Sequence, residues 1–208
     1  LSVEDVRRPQ QYLENEKRRA VMEQARDLSE FLRSLDMKIV VRGFNSLDLV
    51  RITQLINKTN QFNLTTRRYT EADIRSLGEN SNNILLSARL EDRFGDNGLI
   101  SVVIAKPITY GRGFLIDTWL MSCRVLARNI EQAMMKTLVQ LAEDRGAEFL
   151  LGYYSPTAKN KMVETFYADQ GFEAHVYSDP SAPEARWWRL DLSKYIEPQI
   201  YGTLEIAL

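Results

Sequence analysis

The chain has 208 residues, 44% hydrophobic and 26% charged, with a formal net charge of -1. That balance exerts no global pull toward nucleic acid or a membrane surface, and no apolar run of about eighteen residues is available to span a bilayer. A single cysteine and a single histidine exclude an internal disulfide, make a Cys/His zinc site implausible, and fit a reducing, cytoplasmic compartment. No metal is expected, and no signal pattern opens the chain at Leu1.

Residues 2–35 read as one long helix. Ser2 with Asp5 forms a capping-box-like start, and Pro9 moves the expected start toward itself. Its ENEKRRA centre is charged, and Val21, Ala25, Leu28 and Leu32 form a sparse apolar face. MKIVVRGF, residues 37–44, is a strand. Ser46 or Asp48 opens a helix through Lys58, with Leu49, Ile52, Leu55 and Ile56 on one face. The stretch 57–69, NKTNQFNLTTRRY, is dense in amides and hydroxyls. It is either a polar connection or a ligand-contacting loop. Thr70, with Asp73 three residues on, caps a short helix to Leu77.

Strands are expected at 83–92, 99–107 and 113–122. The first two are joined by RFGDNG, where Asp-Asn-Gly signals the turn. The third is nearly all apolar and β-favouring. It runs into SCRVLARN, a short basic turn that carries Cys123, and then into a helix from Ile130 to Arg145 closed by Gly146. A buried strand feeding a helix N-terminus through a basic turn is a place to hold an anion. EFLLGYY is a strand, 155–170 a helix ended by Gly171, FEAHVY a strand, and RWWRLDL the last expected strand. Antiparallel strands followed by helical crossovers predict an α/β fold with a mixed sheet and helices on both faces.

This order, with two motifs, resembles the GNAT acyltransferase fold, a central mixed, mostly antiparallel sheet flanked by helices. The family's pyrophosphate loop aligns with Arg124-Val125-Leu126-Ala127-Arg128-Asn129, with Ala127 and Asn129 in place of the family's glycines. The second motif is Asn160, Tyr167, Gly171 and Phe172. The resemblance implies that Asn160 contacts a pantetheine arm and that Tyr167 protonates a leaving thiolate. A closer resemblance covers almost the whole chain: RITQLINKTNQFNLTTRRYTEADI, RLEDRFGDNGLISVVI, IDTWLMSCRV and PTAKNKMVETFYADQGF are similar to the C-terminal half of FkbH-like proteins. It implies glyceryl transfer from 1,3-bisphosphoglycerate to an acyl carrier protein, in the making of methoxymalonyl-type polyketide extender units. It also implies a phosphatase-like domain ahead of this half, whose Asp-x-Asp-x-Thr motif does not occur here. Residues 1–36 are then a linker helix, and 37–208 a GNAT-like acyltransferase domain.

Within that frame the candidates divide by chemistry. Cys123 sits beside Arg124 and close before a helix N-terminus, both of which favour thiolate. It is either a thioester way-station or a small core residue. His175 is a candidate base for it, or a plain strand residue. Arg124 and Arg128 are candidates to grip the phosphate of a carrier's phosphopantetheine or of acyl-CoA. Asn57, Asn60, Gln61, Asn63, Thr65, Thr66 and Arg67 offer donors to a substrate carbonyl or phosphate, and Arg67 and Arg68 could meet the acidic surface of a carrier. Asp117, in an apolar strand, needs a partner if buried; it contacts substrate or holds the amide-rich loop. Two alternative functions stay open: a CoA-dependent N-acyltransferase with Tyr167 as acid, and a non-catalytic module that docks the carrier protein.

Overall fold

Long apolar strands alternating with one-sided helices need a shared sheet to cover, and the chain builds one. The computed structural model describes residues 3–208, with side chains from residue 6. The described helices are α1 (Val3–Gln24), α2 (Leu28–Ser34), α3 (Leu49–Lys58), α4 (Glu71–Glu79), α5 (Ile130–Asp144) and α6 (Phe166–Asp169). The strands are β1 (Lys38–Gly43), β2 (Ile84–Asp92), β3 (Gly95–Pro107), β4 (Gly113–Met121), β5 (Phe149–Tyr154), β6 (Glu173–His175), β7 (Arg186–Asp191) and β8 (Thr203–Ala207). They form one eight-stranded sheet in the order β6-β7-β5-β4-β3-β2-β1-β8. Only β4–β5 and β1–β8 pair in parallel. The helix α5 packs its Ile130, Met134 and Leu138 on one face of the sheet. On the other face Ile52 and Ile56 of α3 and Ile74 of α4 cover Val102, Ile104 and Leu120. The expected mixed, mostly antiparallel sheet with helices on both faces is therefore what the chain forms.

Four elements differ from the sequence expectation. The first helix breaks at 25–27, because Asp27 accepts from the Glu30 N–H at 2.8 Å and Glu30 accepts from the Arg26 N–H at 2.7 Å. The Asp27 bond caps the start of a new helix, and the Glu30 bond ties the preceding residue to it. Pro9 lies inside α1, and the Ser2–Asp5 cap lies outside the described residues. The β2–β3 hairpin turns at residues 93–94, not at Asp96-Asn97-Gly98. Asp92 draws the turn early by accepting from the Phe94 and Gly95 N–H groups at 2.9 and 3.2 Å. Asp96, Asn97 and Gly98 become an irregular start of β3, with register shifts. The helix expected over 155–170 is only a 3-10 turn, Lys161–Val163, and the four-residue α6. Asn160 is the cause: its side chain bonds backbone at Ser155, Thr157 and Asn63, competing with helical bonding. Finally, the tail forms β8 beside β1, unforeseen because TLEIA is short and mostly exposed.

One buried cluster ties α1 to this sheet. Arg18 binds Asp92 through two nitrogens, at 2.7 and 2.8 Å, and Arg128 binds the same carboxylate at 3.0 Å. The Asp92 side chain is 0% exposed. Helix α1 comes so close that a Cβ on Gly95 would strike the Glu14 carboxylate. Burial alone would raise the Asp92 pKa; the Arg18 hydrogen bonds, the Phe94 N–H and the two guanidinium charges outweigh it and leave it lowered. A carboxylate with a depressed folded pKa contributes stability above its unfolded value, lost as pH falls through the folded one. Asp92→Ala removes the carboxylate that the two buried guanidiniums share, leaving Arg18 only the Glu14 carboxylate at 3.8 Å, and is expected to cost about 3–5 kcal/mol in urea unfolding. Asp92→Asn should flatten the acid limb of the stability profile.

Candidate functional site

At the end of β4 the chain leaves the sheet as Ser122, whose N–H still donates to the Ile100 carbonyl at 2.7 Å. The Ser122 hydroxyl then accepts from the Arg124 Nε at 3.2 Å and starts a 3-10 turn over Cys123–Val125. Val125 is buried and anchors the turn. Ala127 and Asn129 follow with φ of 61° and 57°. Both are in the left-handed region, which is why glycine suits these two positions. Cys123 is exposed.

It opens into a cleft of about 880 Å³. Among the described lining residues five carry positive charge: Arg8 from α1, Arg51 and Lys58 from α3, Arg124, and Lys159. Gln11, Gln54, Asn60 and Gln61 add amides to the walls. Arg124 is also tied to α1, its Nη1 donating to the Gln11 Oε1 at 3.4 Å. The basic turn is thus open at Cys123 and Arg124. Arg128 departs from the expectation that it grips a ligand anion. It turns inward to Asp92, to Asn97 at 3.3 Å and to the Arg124 carbonyl at 3.0 Å. Burial, then the repulsion of Arg18, pushes its pKa down to about 10 despite Asp92.

The strands beside Cys123 do not leave an empty gap. β4 pairs with β5 only over Gly113–Ile116 and Phe149–Gly152. Beyond this the strands part, and residues 62–65 of the amide-rich loop lie between them. Leu64 N–H donates to the Trp119 carbonyl at 3.0 Å, Met121 N–H to Phe62 O at 3.0 Å, and Ser155 N–H to Leu64 O at 2.9 Å. Asn63 bridges Leu120 in antiparallel register. The parted strands therefore enclose the chain's own backbone rather than an open gap.

That filling redirects most of the loop's polar groups. Asn63 is fully buried, donates to the Thr59 carbonyl at 3.0 Å and accepts from the Thr66 N–H at 2.9 Å. Thr65 donates to the Asp117 carbonyl at 2.8 Å. Asn57 pairs with the Tyr69 backbone in both directions. Arg68 holds the Ile56 and Thr59 carbonyls, stabilising the C-terminal end of α3. Only Asn60 and Gln61 of the candidate amides reach the cleft. Asn160 donates to the Asn63 carbonyl at 2.9 Å, so it ties the filling segment down.

Asp117 and Arg67 form a second cluster on the sheet face of α3 and α4. Asp117, 2% exposed, accepts from Tyr69 at 2.5 Å and from Lys106 at 2.8 Å, with the Arg67 Nε at 3.6 Å. Arg67 also donates to the Tyr153 hydroxyl at 2.6 Å. Burial, reinforced by Asp117, raises the Tyr69 pKa.

Tyr167 and His175 are not where their expected roles would need them. Tyr167 is 1% exposed, packed by Phe166 and Phe172, and a Cβ on Gly152 would collide with its ring. Its hydroxyl makes no hydrogen bond among the described residues, and burial raises its pKa well above that of an ordinary phenol. An acid for a leaving thiolate has to touch the ligand; this one touches the core. His175 lies on β6, three strands from β4 in the sheet order and opposite Trp187. Strand spacing alone separates β6 from β4 by about 14 Å, so the fold does not bring His175 to Cys123. The cleft cations Arg51 and Lys58 were missed, although Arg51, Gln54 and Lys58 stand at i, i+3 and i+7 on α3. That spacing marks a polar stripe.

No family model matches the sequence, and no curated protein matches it. Solved structures match its fold. An acetyltransferase of the GNAT family from Staphylococcus aureus has a TM-score of 0.57 at 11% identity, covering 74% of this chain and 99% of its own. The ribosomal-protein-S18-alanine N-acetyltransferase from Escherichia coli has a TM-score of 0.53 at 14% identity, covering 78% and 99%. N-acetylglutamate synthase from Neisseria gonorrhoeae, complexed with coenzyme A and N-acetyl-glutamate, has a TM-score of 0.56 at 12% identity, covering 74% and 35%.

Two measurements check this geometry. Ala127→Gly should raise stability by about 1 kcal/mol, since it relieves a left-handed alanine. Tyr167→Phe removes a fully buried hydroxyl that has no well-formed hydrogen bond among the described residues and should change unfolding free energy by less than about 1 kcal/mol, with no loss of any transfer activity. At these sequence identities the likeness establishes architecture, and the chain has the GNAT fold.

Proposed function

We propose that this chain is the acyltransferase-like domain of an FkbH-like protein. In this reading Cys123 takes up a glyceryl group and passes it to the phosphopantetheine thiol of an acyl carrier protein in the cytoplasm. The observation that carries the proposal is an exposed cysteine on the wall of the cationic cleft, beside Arg124 and with Lys58 and Lys159 on the same lining. Cations there suit a phosphorylated donor and a phosphate-bearing arm. The long segments similar to FkbH-like proteins supply the identity of the acyl group. The companion domain, a phosphatase-like unit, would precede α1.

The chemistry balances with one nucleophile. The Cys123 thiolate attacks the carbonyl of the acyl phosphate; a C–S bond forms, the bond from that carbon to the phosphate oxygen breaks, and phosphate leaves with the electron pair, while the phosphate ester at C3 is removed by water on the companion phosphatase-like domain, giving the glyceryl group. The carrier thiolate then attacks the thioester, and Cys123 leaves as thiolate. Each thiol gives its proton to solvent. Cationic side chains lower the energy of the charged transition states.

One observation favours a second reading. The described lining of the cleft includes no histidine, tyrosine or carboxylate to move protons, which suits a module that docks the carrier without catalysis. A CoA-dependent N-acyltransferase draws support from the fold, but the buried Tyr167 leaves that mechanism without its acid. Intact-protein mass spectrometry after mixing the full-length protein with 1,3-bisphosphoglycerate should show a glyceryl adduct on the Cys123 peptide. Cys123→Ala should abolish transfer to the carrier. Unimpaired transfer would remove the covalent role and leave the docking module.

A further inference from the structure

We infer that residues 62–65 are a resident occupant of the β4–β5 gap, which keeps free acyl-CoA out of the sheet and confines the site to thiols presented along the open cleft by a protein carrier. For its acceptor this inference rests on the Cys123 reading. The closure itself does not.

Two parallel strands that part leave N–H and C=O groups facing each other across a wedge. An extended amide-bearing chain can add there as a short strand. A pantetheine arm, with two secondary amides separated by short methylene runs, is such a chain. In this protein the groups are already spent. The Trp119 carbonyl, the Met121 N–H and the Ser155 N–H all bond residues Phe62 and Leu64. The side chains lock the segment from within. Leu64 is 0% exposed and Phe62 7%, and the Phe62 ring stands edge-on to Phe166 at 5.5 Å between centroids. Asn160 adds its bond to the Asn63 carbonyl. For an arm to enter, this backbone has to leave and both apolar side chains return to water.

What remains for a thiol ligand is the cleft at the end of β4. Lys58, Arg124 and Lys159 line it around the exposed Cys123. A carrier holds its arm on a protein surface and can lay the thiol end in from outside. Free CoA keeps only its phosphates there, so its binding should be weak and suppressed by salt.

Backbone hydrogen exchange and calorimetry with acetyl-CoA test this. In the native protein the amides of Leu64, Met121 and Ser155 should be protected. They should stay protected with about 1 mM acetyl-CoA, without saturable binding. Saturable micromolar binding to the native protein, with or without loss of that protection, would overturn the inference. Leu64→Pro deletes the N–H that holds Trp119, and Asn160→Ala deletes the tie to Asn63. Whichever folds by circular dichroism should gain at least about tenfold in acetyl-CoA affinity; an unchanged affinity would sink the idea. Cys123→Ala should exclude acetyl-CoA as the native protein does. Unimpaired transfer by that variant removes the thioester reading and leaves the closure standing, whereas acetyl-CoA binding removes the closure and leaves Cys123 to be judged by its adduct.

Discussion

Main-chain hydrogen bonding at the far half of β4 is the constraint on which the rest of the molecule turns. Past Ile116 and Gly152 the two parallel strands part, and the strand continues through residues nearly all buried. Backbone polar groups in such a place must find partners. The chain meets this by drawing residues 62–65 out of the loop after α3. That single insertion explains why an amide-rich segment is buried, why Asn63 faces inward, and why Asn160 interrupts the helix expected after β5. It also explains Thr66, a β-branched residue at φ 53°. The chain must leave the gap sharply there, and the Asn63 side chain holds the bend.

Electrostatics on the other side of the turn follow from the same economy of buried groups. Burial and, after it, the neighbouring Arg18 charge lower the proton affinity of Arg128 although it is paired with Asp92. The pairing fixes α1 against the β2–β3 hairpin. Helix α1 in turn supplies Arg8 and Gln11 to the cleft. The cleft is therefore a composite of α1, α3 and the turn after β4, and its charge depends on a helix that lies outside the sheet.

The architecture was legible where periodicity and local chemistry agree. Leu49, Ile52, Leu55 and Ile56 mark α3, Thr70 with Asp73 marks the start of α4, and the apolar run of β4 marks a strand covered on both faces. It was illegible where one side chain overrides the pattern. Asp92 moved a turn that Asn-Gly advertises, and Asn160 unwound a helix that composition favours. The second capping pair, Asp27 with Glu30, was present in the sequence as Asp-x-x-Glu but was hidden inside a longer helical pattern. Of the candidate site, the basic turn with Cys123 and Arg124 could be read from strand–turn–helix order. The burial of Arg128, the distance of His175 and the filling of the gap could not, because each depends on contacts between segments far apart in the chain.

The two family-like motifs show why spacing and role must be argued separately. Ala127 and Asn129 keep the left-handed backbone that the glycine positions require, yet each adds a side chain where the family keeps the space clear. Asn160 and Tyr167 keep their spacing, and both are buried. One bonds the filling segment; the other packs against Gly152 of β5 beneath it. In the second motif both Asn160 and Tyr167 are turned to holding the chain together; in the first only Arg128 is, and Arg124 stays on the cleft. What stays open at this turn is Cys123, with the half-buried Arg124 beside it on the wall of the cleft.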